Sequence, residues 1–224
     1  MNKLLFSLVL LYATTAFSET WNLFDGFQPN WRKSWQERKF TSNPTIYSVI
    51  QEDHTSVLKG VSTKSASGLW RLLDIQPVKK GTVSWSWKVE HSLASNIHEN
   101  EKQGDDYVAR VFVVFEPHFL KWRTRSICYV WAGQHSVGSI YPSPFASNVG
   151  MIVLETGEKH AGEWMSESRD FVADYKRFFG EPPKRVSAVA IMIDTDNTGG
   201  NAKSYFRNFV LIAETQSTQS SATH

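Results

Sequence analysis

Residues 82–90 read TVSWSWKVE, and their apolar and polar side chains alternate without a break. Val83, Trp85, Trp87 and Val89 fall on one face of an extended chain and Ser84, Ser86 and Lys88 on the other, because successive strand side chains point to opposite sides. The segment therefore specifies a strand with one buried face. Segments 108–115, 149–154 and 186–193 are apolar on both faces and suit central strands covered on both sides. Shorter strands are expected at 45–49, 56–60, 68–73, 127–131 and 202–212. Turns at Lys80-Gly81, Thr156-Gly157 and Gly199-Gly200 punctuate them.

A single helix is expected over 168–179. There Phe171, Val172, Tyr175, Phe178 and Phe179 follow a helical spacing, Gly180 supplies the stop, and Pro182-Pro183 forbids continuation. Many short strands with one late helix predict an all-β fold, an antiparallel β-sandwich of jelly-roll type with one short helix.

The N-terminus reads as an export signal: Lys3 supplies the charge, residues 4–13 a short apolar run, and Ala16-Phe17-Ser18 a small-x-small cleavage pattern. The expected division is a signal peptide at 1–18, one β-sandwich domain at 19–213, and a disordered Ser/Thr/Gln-rich tail at 214–224. Retention of the signal as an anchor is the alternative. The apolar run falls short of the roughly 20 residues that a spanning helix needs, so a membrane-embedded protein is not expected. A periplasmic or secreted location follows. In that oxidising setting the lone Cys128 has no internal partner, and it reads as a buried structural thiol.

A net charge of +2 without a basic stripe gives no reason to expect a nucleic-acid partner. The densest basic patch, 121–125, reads as a solvated hairpin edge. The seven His show no zinc spacing, and no phosphate loop or dinucleotide fingerprint is present.

The order of motifs is more specific. It runs Ala66-Ser67-Gly68-Leu69, Trp85-Ser86-Trp87-Lys88-Val89, Gly104-Asp105-Asp106-Tyr107-Val108-Ala109-Arg110-Val111, Tyr129-Val130-Trp131, Asn148-Val149, Asp174-Tyr175 with Phe178-Phe179-Gly180, and Asp194-Thr195-Asp196-Asn197-Thr198-Gly199-Gly200. This succession resembles a bacterial family known as domain of unknown function 3047, over nearly the whole mature chain. The resemblance implies an exported single-domain protein with a β-sandwich of the kind shared by carbohydrate-binding modules. It carries no catalytic residues to transfer.

Two acid-bearing segments at strand ends are the candidate site. Asp194 and Asp196 share a face if the strand continues extended, with the Asn197 amide and the Thr198 hydroxyl following. These four residues are candidate ligands for Ca²⁺, although the segment offers fewer oxygens than a complete site needs. A turn in which Asp and Asn cap backbone amides is the plainer alternative. Asp105 and Asp106 are consecutive and should point to opposite faces. Asp106 and Arg110 share a face, which predicts an ion pair or a clamp on a polar ligand. Trp85 and Trp87 read as core. Tyr129 and Trp131, near His135, are the candidate wall for stacking a sugar.

The resulting expectation is an exported protein that binds a glycan or another polar ligand of the cell envelope. Its rivals are a glycosidase or lyase using Asp106 with Asp194 or Asp196, and a scaffold for an envelope protein.

Overall fold

The computed structural model describes residues 16–24, 30–94, 96, 98–115 and 124–216. Along the chain run β1 (Ala16–Phe24), the one-turn helix α1 (Trp31–Ser34), β2 (Gln36–Lys39), β3 (Ile46–Glu52), β4 (Thr55–Thr63), β5 (Ala66–Ile75) and β6 (Val78–Val89). Then follow β7 (Ala109–Phe115), β8 (Ser126–Ala132), β9 (Ile140–Pro142), β10 (Val149–Thr156), β11 (Met165–Asp170), α2 (Phe171–Phe179), β12 (Val186–Asp194) and β13 (Asn201–Gln216).

The strands form two sheets. One runs β11-β6-β13-β4-β3, with β1 also on β13; the other runs β2-β5-β12-β7-β8-β10-β9. Strand β13 is long enough that β4 takes the first part of its free edge and β1 the second. The pairings are antiparallel except for β8 with β10, which is parallel. The protein is therefore a β-sandwich with one short, well-formed helix, as its alternation pattern requires.

The core lies between the sheets. Trp85 and Trp87 meet edge to face at 5.3 Å, Trp87 meets Trp131 at 6.0 Å, and Trp85 meets Tyr129 at 5.3 Å. Each such ring buries about 150–250 Å², worth about 4–6 kcal/mol at ~25 cal/mol per Å². The core reading of Trp85 and Trp87 is borne out, as is that of Cys128, which is fully buried. Burial pushes its thiol pKa well up, so it stays protonated.

Helix α2 starts later than its spacing predicts. Residues 165–170 form β11 on β6, and Asp170 ends that strand by accepting the amides of Val172 and Ala173 at 3.1 and 2.9 Å. Gly180 closes the helix at φ +80°. Gly81 and Gly150 let the helix dock: a Cβ would lie 2.0 Å from the Phe171 ring and 2.7 Å from the Phe178 ring, respectively.

Strands β1, β2, β9 and β11 lie at sheet margins and were not foreseen. The polar β2 (QERK) is exposed throughout and is held by its ladder with β5, so no buried face marks it in the sequence. Strand β13 runs to Gln216, past the expected start of the tail. The expected apolar signal run and residues 121–123 of the basic patch lie outside the described residues. Among the described residues no helix is long and apolar enough to cross a membrane.

Candidate functional site

The two acidic segments meet. Strand β12 carries Asp194 to the sheet end, and the segment before β7 brings Asp105 and Asp106 beside it. One carboxylate oxygen each from Asp106, Asp194 and Asp196 lie within 4.8 Å of one another. The partners differ from the expected ones. Arg110 pairs with Asp194 by a two-pronged contact, Nε to Oδ1 at 2.8 Å and Nη2 to Oδ2, and reaches Asp105 Oδ1 at 3.5 Å. The predicted Asp106 to Arg110 pair does not form. Strand β7 begins only at Ala109, after a 3₁₀ turn at Lys102–Gly104, so the two-residue period cannot be carried back to Asp106.

Asp106 instead takes four donors: the backbone and side-chain N–H groups of Asn197 at 3.2 and 3.1 Å, and the backbone N–H and hydroxyl of Thr198, both at 2.6 Å. Asp194 reciprocates by accepting the Tyr107 amide at 3.2 Å. Each segment thus caps the backbone of the other, so the turn at 194–200, with Gly199 at φ +70°, is held by Asp106 rather than by its own Asp and Asn side chains.

The electrostatics follow from burial. Burial raises the Asp194 carboxyl above its ordinary range, and the Arg110 guanidinium opposes that rise. Burial acts to lower the pKa of Arg110, but Asp194 and Asp105 outweigh it and keep the guanidinium charged. Asp105 is raised by burial, and Asp196 by burial and by the charge of Asp106. Asp106 and Asp194 are 0% and 3% exposed, while Asp196 and Asn197 are exposed. Asp106, Asp194 and Asp196 are the group whose oxygens could hold a metal ion, but the first two are already engaged by donors from the protein itself.

Tyr129 and Trp131 are 0% exposed. The Tyr129 hydroxyl donates to Asp174 at 2.9 Å and Trp131 Nε1 donates to the Gly157 carbonyl at 3.1 Å. Both rings point inward from β8, so neither presents a face to a sugar, and the expected wall is corrected. His135 is half-buried against Tyr141, with ring centroids 4.4 Å apart. Its backbone N–H donates to the buried Glu99, whose carboxylate also takes Gly133 and Gln134.

An open aromatic surface lies elsewhere. Arg110, Phe112 and Val114 point outward from β7, opposite the core-facing Val111, Val113 and Phe115. At the β8–β10 end this outer face is sealed by Tyr107, Cys128, Val130 and Met151. Towards β5 and β2 it opens into a groove of about 660 Å³ lined by Trp70, Phe112, Phe40, Leu72, Arg38 and Arg185, among others. Its size suits a ligand pocket. The expectation of cover on both sides is met along 186–193, where every residue is buried, while in 108–115 Phe112 and Val114 are only half-buried at the groove.

Trp70 and Phe112 flank Ala190 of β12 on neighbouring strands, and their rings stack at 6.2 Å and 26° across that small residue. Gly68 lies beneath the indole: a Cβ there would fall 2.2 Å from it. Arg38 sits over the same ring at 5.0 Å and the 57%-exposed Phe40 lies 6.0 Å away. Sequence reading passed over these residues because an outward apolar residue on a central strand looks the same whether a layer covers it or not. The signal was the pairing of large aromatics with Gly68 and Ala190 on the outward register.

No curated protein matches the sequence. Among solved structures the chain is similar to a family 11 carbohydrate-binding module of a cellulosomal cellulase from Clostridium thermocellum, at 11% identity, covering 88% of this chain and 95% of that one, with a TM-score of 0.44. It is also similar to the xyloglucanase domain of NopAA, a type three effector from Sinorhizobium fredii, solved with cellobiose, at 10% identity, 85% and 97% coverage and a TM-score of 0.46. A third is the K1 cleaved adhesin domain of Lys-gingipain from Porphyromonas gingivalis, at 10% identity, 88% and 97% coverage and a TM-score of 0.39. The family model described as "Protein of unknown function (DUF3047)" matches residues 33–210, most of the chain, and the protein belongs to that family.

Proposed function

We propose that the protein is exported to the periplasm and binds a glycan in the groove on the outer face of its seven-stranded sheet. The observation that carries this reading is the Trp70 ring, half-buried over Gly68 and stacked on Phe112 in an otherwise open groove. A flat ring held by its surroundings binds the apolar face of a sugar at little entropic cost, and the polar rim then orients the hydroxyls. Export is supported by Lys3, the apolar run 4–13 and Ala16-x-Ser18. Cleavage near Glu19 would leave Glu19 to Phe24 of β1 still paired with β13.

The acidic end serves this reading as a clasp that fixes the loop after β12. A Ca²⁺ ion is the second reading for that end, supported by the three carboxylates within 4.8 Å. It would have to displace donors of Asn197 and Thr198 from Asp106. Thermal unfolding in millimolar Ca²⁺ against chelator tests it: a higher midpoint with the ion assigns a cation site, and equal midpoints leave a clasp.

The glycan reading is tested by affinity electrophoresis of the full chain through gels holding neutral and acidic polysaccharides. Retardation that Trp70→Ala abolishes, with the unfolding midpoint retained, supports it. Retardation unchanged in that variant, or none in any gel, defeats it.

A further inference from the structure

We infer that the groove selects glycans bearing carboxylates, that is, uronate polymers, through Arg38 and Arg185; this rests on the glycan reading above. Among its described lining residues the groove has these two guanidiniums and no Asp or Glu. A neutral sugar gives no reason for a wall that carries two guanidiniums and no carboxylate of its own, whereas a polyanion does.

Neither arginine is used up by the fold. Arg38 is exposed on the edge strand β2 and makes no ion pair among the described residues; its guanidinium lies over the Trp70 ring. A guanidinium held at the rim of the stacking platform lies where a substituent on a stacked sugar would project. Arg185 spends Nη2 on Asp74 Oδ1 at 3.0 Å, and that carboxylate stands largely in solvent. Its Nε is buried and has no hydrogen-bond partner among the described residues. A buried donor left open beside a groove carries an unmet desolvation cost that an incoming carboxylate removes.

The spacing favours a chain over a single sugar. Arg38 stands opposite Gly68, and Arg185 directly precedes Val186, which stands opposite Ile75. Those two positions on β5 lie roughly 24 Å apart at the rise of an antiparallel strand. One monosaccharide does not reach between strand positions that far apart, but a polymer with acids at regular steps can meet Arg185 at one end and, at the other, Arg38 beside the Trp70 ring that lies over Gly68. The planar fork of a guanidinium matches a carboxylate with two parallel hydrogen bonds, which a Lys would not provide.

The test uses polygalacturonate, its fully methyl-esterified form and a neutral β-glucan as probes in affinity gels with the full chain. Esterification removes the charge and keeps the backbone, so it isolates the inference. Binding to polygalacturonate should exceed binding to the ester by at least about tenfold. Arg38→Gln and Arg185→Gln should each erase most of that preference while leaving the unfolding midpoint unchanged. Equal affinity for acid and ester, or a preference that survives both arginine variants, overturns the inference. If retention by neutral β-glucan is lost in Trp70→Ala, the glycan reading survives that failure. No retention by any probe defeats both.

Discussion

Arg110 of β7 grips Asp194 of β12 from 84 residues away in sequence, with both side chains almost fully buried and two guanidinium nitrogens on the two carboxylate oxygens. The pair fastens two neighbouring central strands at the end where their loops cross-cap one another.

Removing one partner strands the other. Asp194→Asn should destabilise the fold by about 3–5 kcal/mol, because a buried guanidinium loses its counter-charge. Replacing both, as in Arg110→Met with Asp194→Leu, should cost less than the single change. Urea unfolding of the three variants checks this, and a double variant no more stable than Asp194→Asn would show that the pair is not the source of the loss.

Gly68 has its own role in the groove. Gly68→Ala places a methyl group 2.2 Å from the present position of the Trp70 ring, so the ring must tilt out of its stack with Phe112. Glycan retention should fall to the level of Trp70→Ala, with folding intact by circular dichroism. Retention equal to wild type would mean that the indole does not form the platform.

Tyr129 should matter for stability alone. Its hydroxyl donates to Asp174, which also holds Arg169 at 2.7 and 3.0 Å. Tyr129→Phe removes one buried hydrogen bond, a loss of about 1–3 kcal/mol. Polysaccharide retention should not change, and a selective loss of binding would restore Tyr129 as a ligand contact.

The pH dependence of stability has a source in Glu167. Burial raises its carboxyl above the ordinary 4.5, the charge of Glu155 adds to the rise, and the Trp87 indole N–H at 3.2 Å opposes it. A carboxyl raised in the folded state binds its proton more tightly there than in the unfolded chain. Stability from this group is therefore greatest below pH 4.5 and declines as pH climbs through the folded pKa. Glu167→Gln keeps an acceptor for Trp87, so the variant should unfold at higher urea than wild type at pH 7 and lose that decline. A parallel pair of pH curves would remove Glu167 as the cause.

Much of the sandwich was legible before any coordinates. The alternation in 82–90 required an inward Trp85 and Trp87, and the apolar runs marked β7, β10 and β12, because burying a strand leaves a period-two trace in its own residues. The acid-bearing ends of β7 and β12 were legible as a pair worth testing for the same reason. Edge strand β2 left no such trace, since its ladder with β5 is made by backbone groups that every residue carries.

What only the tertiary structure decided is who meets whom. The two-residue period holds only while the chain is extended, and it does not reach back beyond the start of β7 at Ala109, so Asp106 went to Asn197 and Thr198 while Arg110 found Asp194 on another strand. Burial is likewise a property of layers, not of residues. Trp131 and Trp70 both sit on inner strands of one sheet; the opposite sheet covers the first, while the second is only half-buried, with Arg38, Phe40 and Phe112 about its ring at the groove. The sequence by itself settled that strands would stack with their aromatics inside, and the packing of those strands settled which aromatic was left facing a groove.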